Sequence, residues 1–505
     1  MAVAVKVKKA KAVAAQKEKT EKRKKGNNSV LSFDLFYQLS YMTVIASAGV
    51  PRNQIFESSA RIPGYSAEYF RKVELACRRL KYDYAKACRV VGESAKDEDI
   101  KGLLLRFSSS LVSGEPEADF LAREAEAQAE AYHNEYGRKL ETLKLWTDAY
   151  VSLILSAVLV IIIGIVSTMI WRIQAGFIVG MMMVSIMTTV TGLWLIYLMT
   201  PRELVVLGKA GSTEQKLAQS LLRLMAPVAL MAIAIMVPLK VNMGWMLVAA
   251  AAFMFPIGVI SMVDDRKVTK RDAEVGAFLR SLGGVCAAVG TTVRDALGRL
   301  DLDAINTLRR EVKRLYTRLF SGIKGRLCWN KFIEETGSEL ANRSVGMFYD
   351  AIDLGGAPER AGHNASLFAS KVALLRARRK TVSSPFRWLC LAMHASIVVL
   401  LIFITEVITI FGEMVSKAGQ SMPKMSGAPS VSAFTSFNFS GLEMMNSMVV
   451  PLVIVFTMSN AIAPSIADGG SKYKILFNLA ITAAVSGAAL VLLPAMARSL
   501  FAIKL

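Results

Sequence analysis

Seven long apolar runs divide this chain, and two polar blocks of similar length lie between them. Tyr150–Trp171 carries no charge and as a helix is long enough to cross a hydrocarbon core of ~30 Å. Ala175–Met199 reads the same way after a short polar break. Leu224–Val241 and Met243–Met262 form a weaker second hairpin. Phe386–Phe411, Met448–Ile466 and Ile475–Ala497 complete the seven. The polar blocks, Leu31–Asp148 and Asp264–Pro385, place apolar residues every three or four positions among charges, which predicts amphipathic helices. Tyr132, Tyr136, Leu140 and Leu143 make one such stripe. It runs on through Trp146 into the first apolar run, so a single long helix is expected to enter the membrane there.

The two blocks share one plan. Each opens on an apolar helix that ends in small residues and a glycine, Gly49 in "ASAGVP" and Gly290 in "AAVGTT", 241 positions apart. A glycine there can take a positive φ and close a helix. The pattern restarts at Ile55–Phe56 and at Ala296–Leu297. Later, "SGEPEADF" (Ser113–Phe120) is echoed by "GGAPERAG" (Gly355–Gly362), which pairs Gly114 with Gly356 and Pro116 with Pro358. A charged helix and an apolar run follow each turn. Such a duplication reads as one helical module used twice, each copy feeding the membrane.

Composition agrees with a membrane protein. Of 505 residues 53% are hydrophobic, and mean hydropathy is +0.40. The net charge of +21 suits an anionic lipid surface, nucleic acid or an acidic protein partner. Both blocks are tethered to apolar runs and neither carries a recognisable nucleic-acid module, so nucleic acid is excluded. Lysines and arginines place the polar blocks and the N-terminus on the cytoplasmic side. Arg376, Arg378, Arg379 and Lys380 crowd one span, and Arg266, Lys267, Lys270 and Arg271 another. The loop Gly412–Asn446 holds only Lys417 and Lys424 as basic residues and is expected outside, although Arg498 and Lys504 then lie outside too. Trp146, Trp171, Trp194, Trp245 and Trp388 sit near predicted interfaces, whereas Trp329 falls inside the second block.

The expected fold is all-α: a polytopic membrane protein with about seven transmembrane helices and two tandem cytoplasmic helical bundles. Its parts are a basic tail (1–30), a first bundle (31–149), four spans in two hairpins (150–263), a second bundle (264–385), and three spans (386–505) with an external loop at about 412–447.

The order of these features resembles the F domain of type II secretion and type IV pilus systems. The resemblance rests on "AGVP" (Ala48–Pro51), the "GEP" and "GAP" turns, and the endings that run from helix to span. Two such domains in one chain are more similar to the archaellum membrane platform family, through "YHNEYGRKLETLKLWTDAYVSLILS" (Tyr132–Ser156) and "ADGGSKYK" (Ala467–Lys474). The second copy departs from the family turn in having Thr292 where the first has Pro51. This resemblance implies a non-enzymatic platform that anchors filament assembly. Its implied partners are a cytoplasmic hexameric ATPase and pilin-like filament subunits (archaellins), with rotation as a further output of that ATPase.

Several residues are candidates for chemistry. Arg310, Arg314 and Arg318 recur every four positions with Lys313 beside them. They form either a solvated or headgroup-facing stripe or a docking face for an acidic ATPase surface. Arg78, Arg79, Lys81 and Arg89 are the weaker equivalent in the first block. Glu406 lies inside a span near its outer end, placed to snorkel to the interface or to serve as an intramembrane site; His394 lies twelve residues away and off its face. "LGKAGSTEQK" (Leu207–Lys216) lacks the glycine–lysine order of a phosphate-binding loop. Scattered cysteines (Cys77, Cys88, Cys286, Cys328, Cys390) and three histidines give no metal-ligand spacing, and no cofactor is expected. Gly176-x-x-x-Gly180 permits close helix packing. Sequons occur at Asn27, Asn342, Asn364 and Asn438. Partners are therefore an ATPase, filament subunits, membrane lipids and a second copy in a homodimer. Runner-up readings are the platform of a Tad-like pilus or type II secretion system and, from another class, a secondary transporter, whose repeats usually lie within the membrane around polar midplane groups.

Overall fold

The computed structural model describes residues 31–170, 175–208, 211–421 and 442–501. The basic tail, Trp171, Lys209, most of the 412–447 loop and the sequons at Asn27 and Asn438 lie outside them. The described residues are almost wholly helical, with one isolated β-bridge between Val206 and Ser338.

After α1 (31–47) come α2 (Arg52–Arg61), α3 (Tyr65–Leu80), α4 (Tyr84–Glu93), α5 (Glu98–Ser113) and the 54-residue α6 (Glu117–Ile170). Next are α7 (Ala175–Met199), α8 (Thr213–Met236) and α9 (Met243–Val289). The second set is α10 (Val293–Gly298), α11 (Arg309–Phe320), α12 (Gly325–Thr336), α13 (Glu339–Asp353) and the 64-residue α14 (Pro358–Ser421). α15 (Leu442–Asp468) and α16 (Ile475–Phe501) close the chain. Seven helices are long and apolar enough to cross a membrane: α6, α7, α8, α9, α14, α15 and α16. The stripe Tyr132, Tyr136, Leu140, Leu143 is buried along α6, as its spacing predicts.

Four helix starts of the repeat keep an offset of 241 positions, Arg52 to Val293, Tyr84 to Gly325, Glu98 to Glu339, and Glu117 to Pro358, while α3 and α11 start at Tyr65 and Arg309. Gly49 and Gly290 share it and take φ values of +76° and +62°. The offset corrects one pairing. Gly114 (φ +73°) matches Gly355 (φ +86°) rather than Gly356, and Pro116 matches Ala357. Gly356 serves a different contact. A β-carbon there would come within 2.2 Å of the Ala48 β-carbon, so the turn of one module presses on the helix end of the other.

At the same offset Pro51 faces its counterpart Thr292 with nearly the same backbone, φ −58°, ψ 146° against φ −67°, ψ 154°. Proline fixes that φ through its ring. Threonine instead accepts a hydrogen bond from the Asp295 N–H, as an N-cap does. Asp97 and Ser338 are a second such pair. Asp97 caps the Asp99 and Ile100 N–H groups, and Ser338 caps that of Ala341.

Contacts divide the chain into two compact units. The first joins both modules: the chain to Arg138, the loop Pro201–Ser212, and Lys267–Ala377. Its first module is filled by a stack of rings, Phe56 on Tyr84 at 4.5 Å and on Phe107 at 5.3 Å, with Phe107 on Phe120 at 5.0 Å. In the second module Phe348, the offset counterpart of Phe107, is equally buried and meets Trp329 at 6.0 Å. Helices α9 and α14 cross closely because Gly283 and Gly362 lack side chains; a β-carbon on either would lie 2.5 Å from a backbone oxygen of the other helix.

The second unit holds Lys139–Thr200, Thr213–Arg266 and Arg378–Leu505. There α9 and α16 approach through Gly244 and Gly487, the small-residue contact that lets helices pack in lipid. Pro385 does not end α14, which runs through it.

The cap exchange is testable in the detergent-solubilised chain. Thr292→Ala should lower stability by ~0.5–2 kcal/mol through the lost cap, and Thr292→Pro should recover most of it because the backbone already suits proline. Thermal unfolding midpoints decide; a proline variant no better than the alanine one would sink the equivalence with Pro51.

Candidate docking faces and charge networks

In the second module the basic stripe lies on α11, and the structure divides it. Arg318 makes two hydrogen bonds to Glu335 of α12, at 3.1 and 2.5 Å. Arg314 lies 3.7 Å from the same carboxylate. Arg310 and Lys313 are exposed and form no ion pair among the described residues. In the first module Arg78 is paired with Glu57 at 3.1 Å and Glu74 at 2.8 Å, and Arg89 with Glu93 at 3.2 Å. Arg79 and Lys81 are exposed, with Lys81 ending α3 in the left-handed conformation. Moved by 241, Arg78 and Arg79 fall on Leu319 and Phe320. The two basic groups therefore do not stand at equivalent positions of the repeat.

Side-chain contacts join the two modules. The Tyr41 hydroxyl donates to Asp350 at 3.0 Å, and burial together with Asp350 holds that phenol protonated, well above its ordinary pKa. Arg343 lies over the rings of Phe33 and Tyr37, 4.8 and 4.6 Å from their centres. Phe36 packs on Phe368 at 5.0 Å, Asn364 donates to Ser47 at 3.2 Å, and Lys371 reaches Glu126.

A buried charge network holds the loop Pro201–Ser212 against α9 and α14. Arg376 donates to Glu203 at 2.6 Å, to Asp272 at 2.5 Å and to the Leu204 carbonyl at 3.0 Å. Tyr136 donates to the second Glu203 oxygen at 3.2 Å, and Ser338 donates to Asp272. Burial opposes the charge on Arg376, but its two carboxylates outweigh that and hold its pKa above the ordinary value. Beside it Arg271 reaches Glu311 at 2.6 Å and the Thr336 carbonyl at 3.0 Å. Gly211, part of the "LGKAGSTEQK" stretch, lies against the backbone of Glu334, where a β-carbon would stand 2.2 Å from the carbonyl oxygen. Gly211 thus packs on α12, whereas Thr213–Lys216 open α8.

In the second unit "ADGGSKYK" forms a further network. Lys474 reaches Asp265 at 2.9 Å and also Asp468, while Lys380 reaches Asp265 at 3.2 Å. Ser383 donates to Asp468 at 2.9 Å. Arg379 donates to the carbonyls of Ala467 and Ile466, both at 3.0 Å, and so satisfies the C-terminal end of α15. Gly469 and Gly470 turn the chain with φ values of +69° and +92°. A β-carbon on Gly470 would stand 2.0 Å from an Asp265 oxygen, so both the turn and the closeness of the carboxylate require glycine.

Among the apolar helices, polar groups are paired with one another. Tyr150 donates to Asn460 at 3.0 Å, and the Asn460 amide nitrogen lies 3.3 Å from His394 Nδ1. His394 Nε2 lies 2.9 Å from Ser486 Oγ, which is 2.6 Å from Thr457 Oγ1. Glu406 is met by Arg498 at 3.0 Å.

Sequence reasoning used Arg376, Arg379 and Lys380 only as orientation signals and passed over Glu203, Asp265, Asp272 and Asp468. Each arginine or lysine beside a span was a signal for such pairing, but the acceptors lie far off in the chain.

Two relatives match this chain in sequence. Over 411 residues the chain is 22% identical to a Methanocaldococcus jannaschii protein, covering 78% of this chain and 71% of the relative. The chain resembles flagella accessory protein J. A Methanococcus voltae protein of that same name is 24% identical over 328 residues, covering 62% of this chain and 58% of the relative. No family model matches the chain, and no solved structure does. The likeness to flagella accessory protein J, taken with the seven apolar helices, makes this an archaellum-related membrane protein.

The two kinds of basic site should differ sharply in stability. Arg376→Met leaves Glu203 and Asp272, whose side chains are each 3% exposed, without their cation, and should cost ~3–5 kcal/mol. Arg318→Met, at a partly exposed pair, should cost ~1 kcal/mol or less. Equal shifts in thermal unfolding of the two variants would show that the Arg376 network is not the tie assigned to it.

Proposed function

We propose that this chain is the non-enzymatic membrane platform of an archaellum-type filament machine, with both helical modules and the N-terminus on the cytoplasmic side and an assembly ATPase engaging the modules. The observation that carries the reading is the duplicated module itself. Two copies at constant offset join in one polar unit, and each feeds long apolar helices, in a chain that resembles flagella accessory protein J. A platform transmits force through rigid parts, and continuous helices such as α6 and α14 suit that role. The filament it would serve is built from pilin-like subunits, and rotation would be an output of the same ATPase. A homodimer is the expected assembly. Lysine and arginine placement supports the sidedness.

The docking face is narrower than the stripe suggested. Glu335 occupies Arg314 and Arg318, so Arg310 and Lys313, with Arg79 and Lys81 on the other module, remain to meet an acidic surface.

A transporter would need a polar site at the midplane, and the His394–Asn460 group is a cluster of polar side chains within the apolar helices. Its side chains satisfy one another, which supports a structural role.

The test is binding of the full chain, in lipid nanodiscs at physiological salt, to the cognate assembly ATPase. The double variant Arg310→Glu, Lys313→Glu should weaken binding about tenfold or more, and Arg79→Glu, Lys81→Glu should weaken it less. Binding unaffected by either moves the interface off the basic faces. An absence of binding by the native chain would overturn the ATPase-coupled reading.

A further inference from the structure

Four helices of the second unit, α9, α14, α15 and α16, enclose a cavity of about 130 Å³. Its rim carries Arg266, Arg387 and Trp388. Met262, Leu391, Pro464, Phe477 and Ile481 form the walls, and Asn460, Asn478 and Thr482 the floor. We propose that this cavity binds an anionic phospholipid, with the phosphodiester between Arg266 and Arg387 and part of one acyl chain in the shaft below.

The spacing builds a site with a charged mouth and an apolar depth. Met262 lies four residues before Arg266, and Leu391 four after Arg387. Each helix therefore stacks one wall residue one turn, ~6 Å, from its rim cation on the same face. The volume is below the ~300–1,000 Å³ of a site for a drug-sized ligand and suits a narrow hydrocarbon segment.

The rim has charge to offer. Arg266 is exposed and makes no ion pair among the described residues. Arg387 lies 4.0 Å from Asp468, whose oxygens already serve Lys474 and Ser383. Two planar guanidinium groups match phosphate oxygens. Basic pockets between membrane helices bind anionic headgroups on the same grounds. Trp388 is exposed beside them, 5.8 Å from the Arg387 guanidinium, as an interfacial aromatic would be.

The floor tolerates hydrocarbon because its amides are already engaged. Asn460 accepts from Tyr150, Asn478 donates to Ser465 at 2.8 Å, and Thr482 donates to the Thr457 carbonyl at 3.2 Å. A chain laid over them leaves these hydrogen bonds intact, which lowers the usual cost of covering an amide.

The experiment uses the full chain, delipidated in detergent, and native mass spectrometry with added phosphatidylglycerol or phosphatidylcholine of identical chains. Phosphatidylglycerol should be retained about tenfold more, in keeping with two basic contacts. Arg266→Gln, Arg387→Gln should bring that ratio close to one, and Ile481→Trp should remove retention of phosphatidylglycerol by filling the shaft. Unfolding midpoints accompany each variant. Arg266→Gln alone, at an exposed unpaired residue, carries the test where the double variant does not fold, by lowering the ratio severalfold. Soluble glycerol phosphate should compete only weakly. Competition by glycerol phosphate as strong as by the lipid would make this a free-phosphate site and overturn the proposal. So would equal retention of the two lipids by the native chain, or unchanged retention in folded Ile481→Trp.

Discussion

A guanidinium that leaves water has to find carboxylates on the inside, and the first unit is arranged around that demand. Arg376 is buried with Glu203 and Asp272, which ties together α14, α9 and the loop Pro201–Ser212. Desolvating three charges costs several kcal/mol per ion, so the geometry must be nearly complete to break even. It is: the Leu204 carbonyl, Tyr136 and Ser338 take up remaining hydrogen-bonding positions. Each of these bonds helps fix the position of the loop against the two helices.

The repeat shows how loosely sequence is bound to backbone. Pro51 and Thr292 hold one conformation, the first by a ring and the second by a hydroxyl. Asp97 and Ser338 cap equivalent helices with different oxygens. What persists is the spacing of helix starts and the left-handed glycines, since those alone decide where each helix ends and the next begins.

The same distinction separates what could be read in advance from what could not. The apolar runs, the continuous α6 and the turns at Gly49 and Gly290 follow from local periodicity and from glycine's freedom at positive φ. The later turn was placed one residue off, because "GG" offers two glycines; Gly355 takes the positive φ, and Gly356 packs against Ala48. The arginine stripe on α11 was legible as a face. That Glu335 occupies half of it was not, because the partner sits on the next helix, 17 positions from Arg318. Arg376 finds its carboxylates 104 and 173 positions away, a separation to which no window along the sequence is sensitive.

The contacts that lock the modules have no mirror images. Shifted by 241, the Tyr41–Asp350 pair would require Leu282 and Ser109, and the ion pair of Arg343 with Asp34, at 3.8 Å, would require Gly102 and Val275. Neither substitute can make the bond. A first module rewards only a second module as its neighbour, so copies of the same kind gain nothing by pairing in this way. Fusion into one chain freed the interface from having to complement itself. The product is a polar body with two unlike flanks, which gives it a direction that a symmetric pair of identical modules could not have.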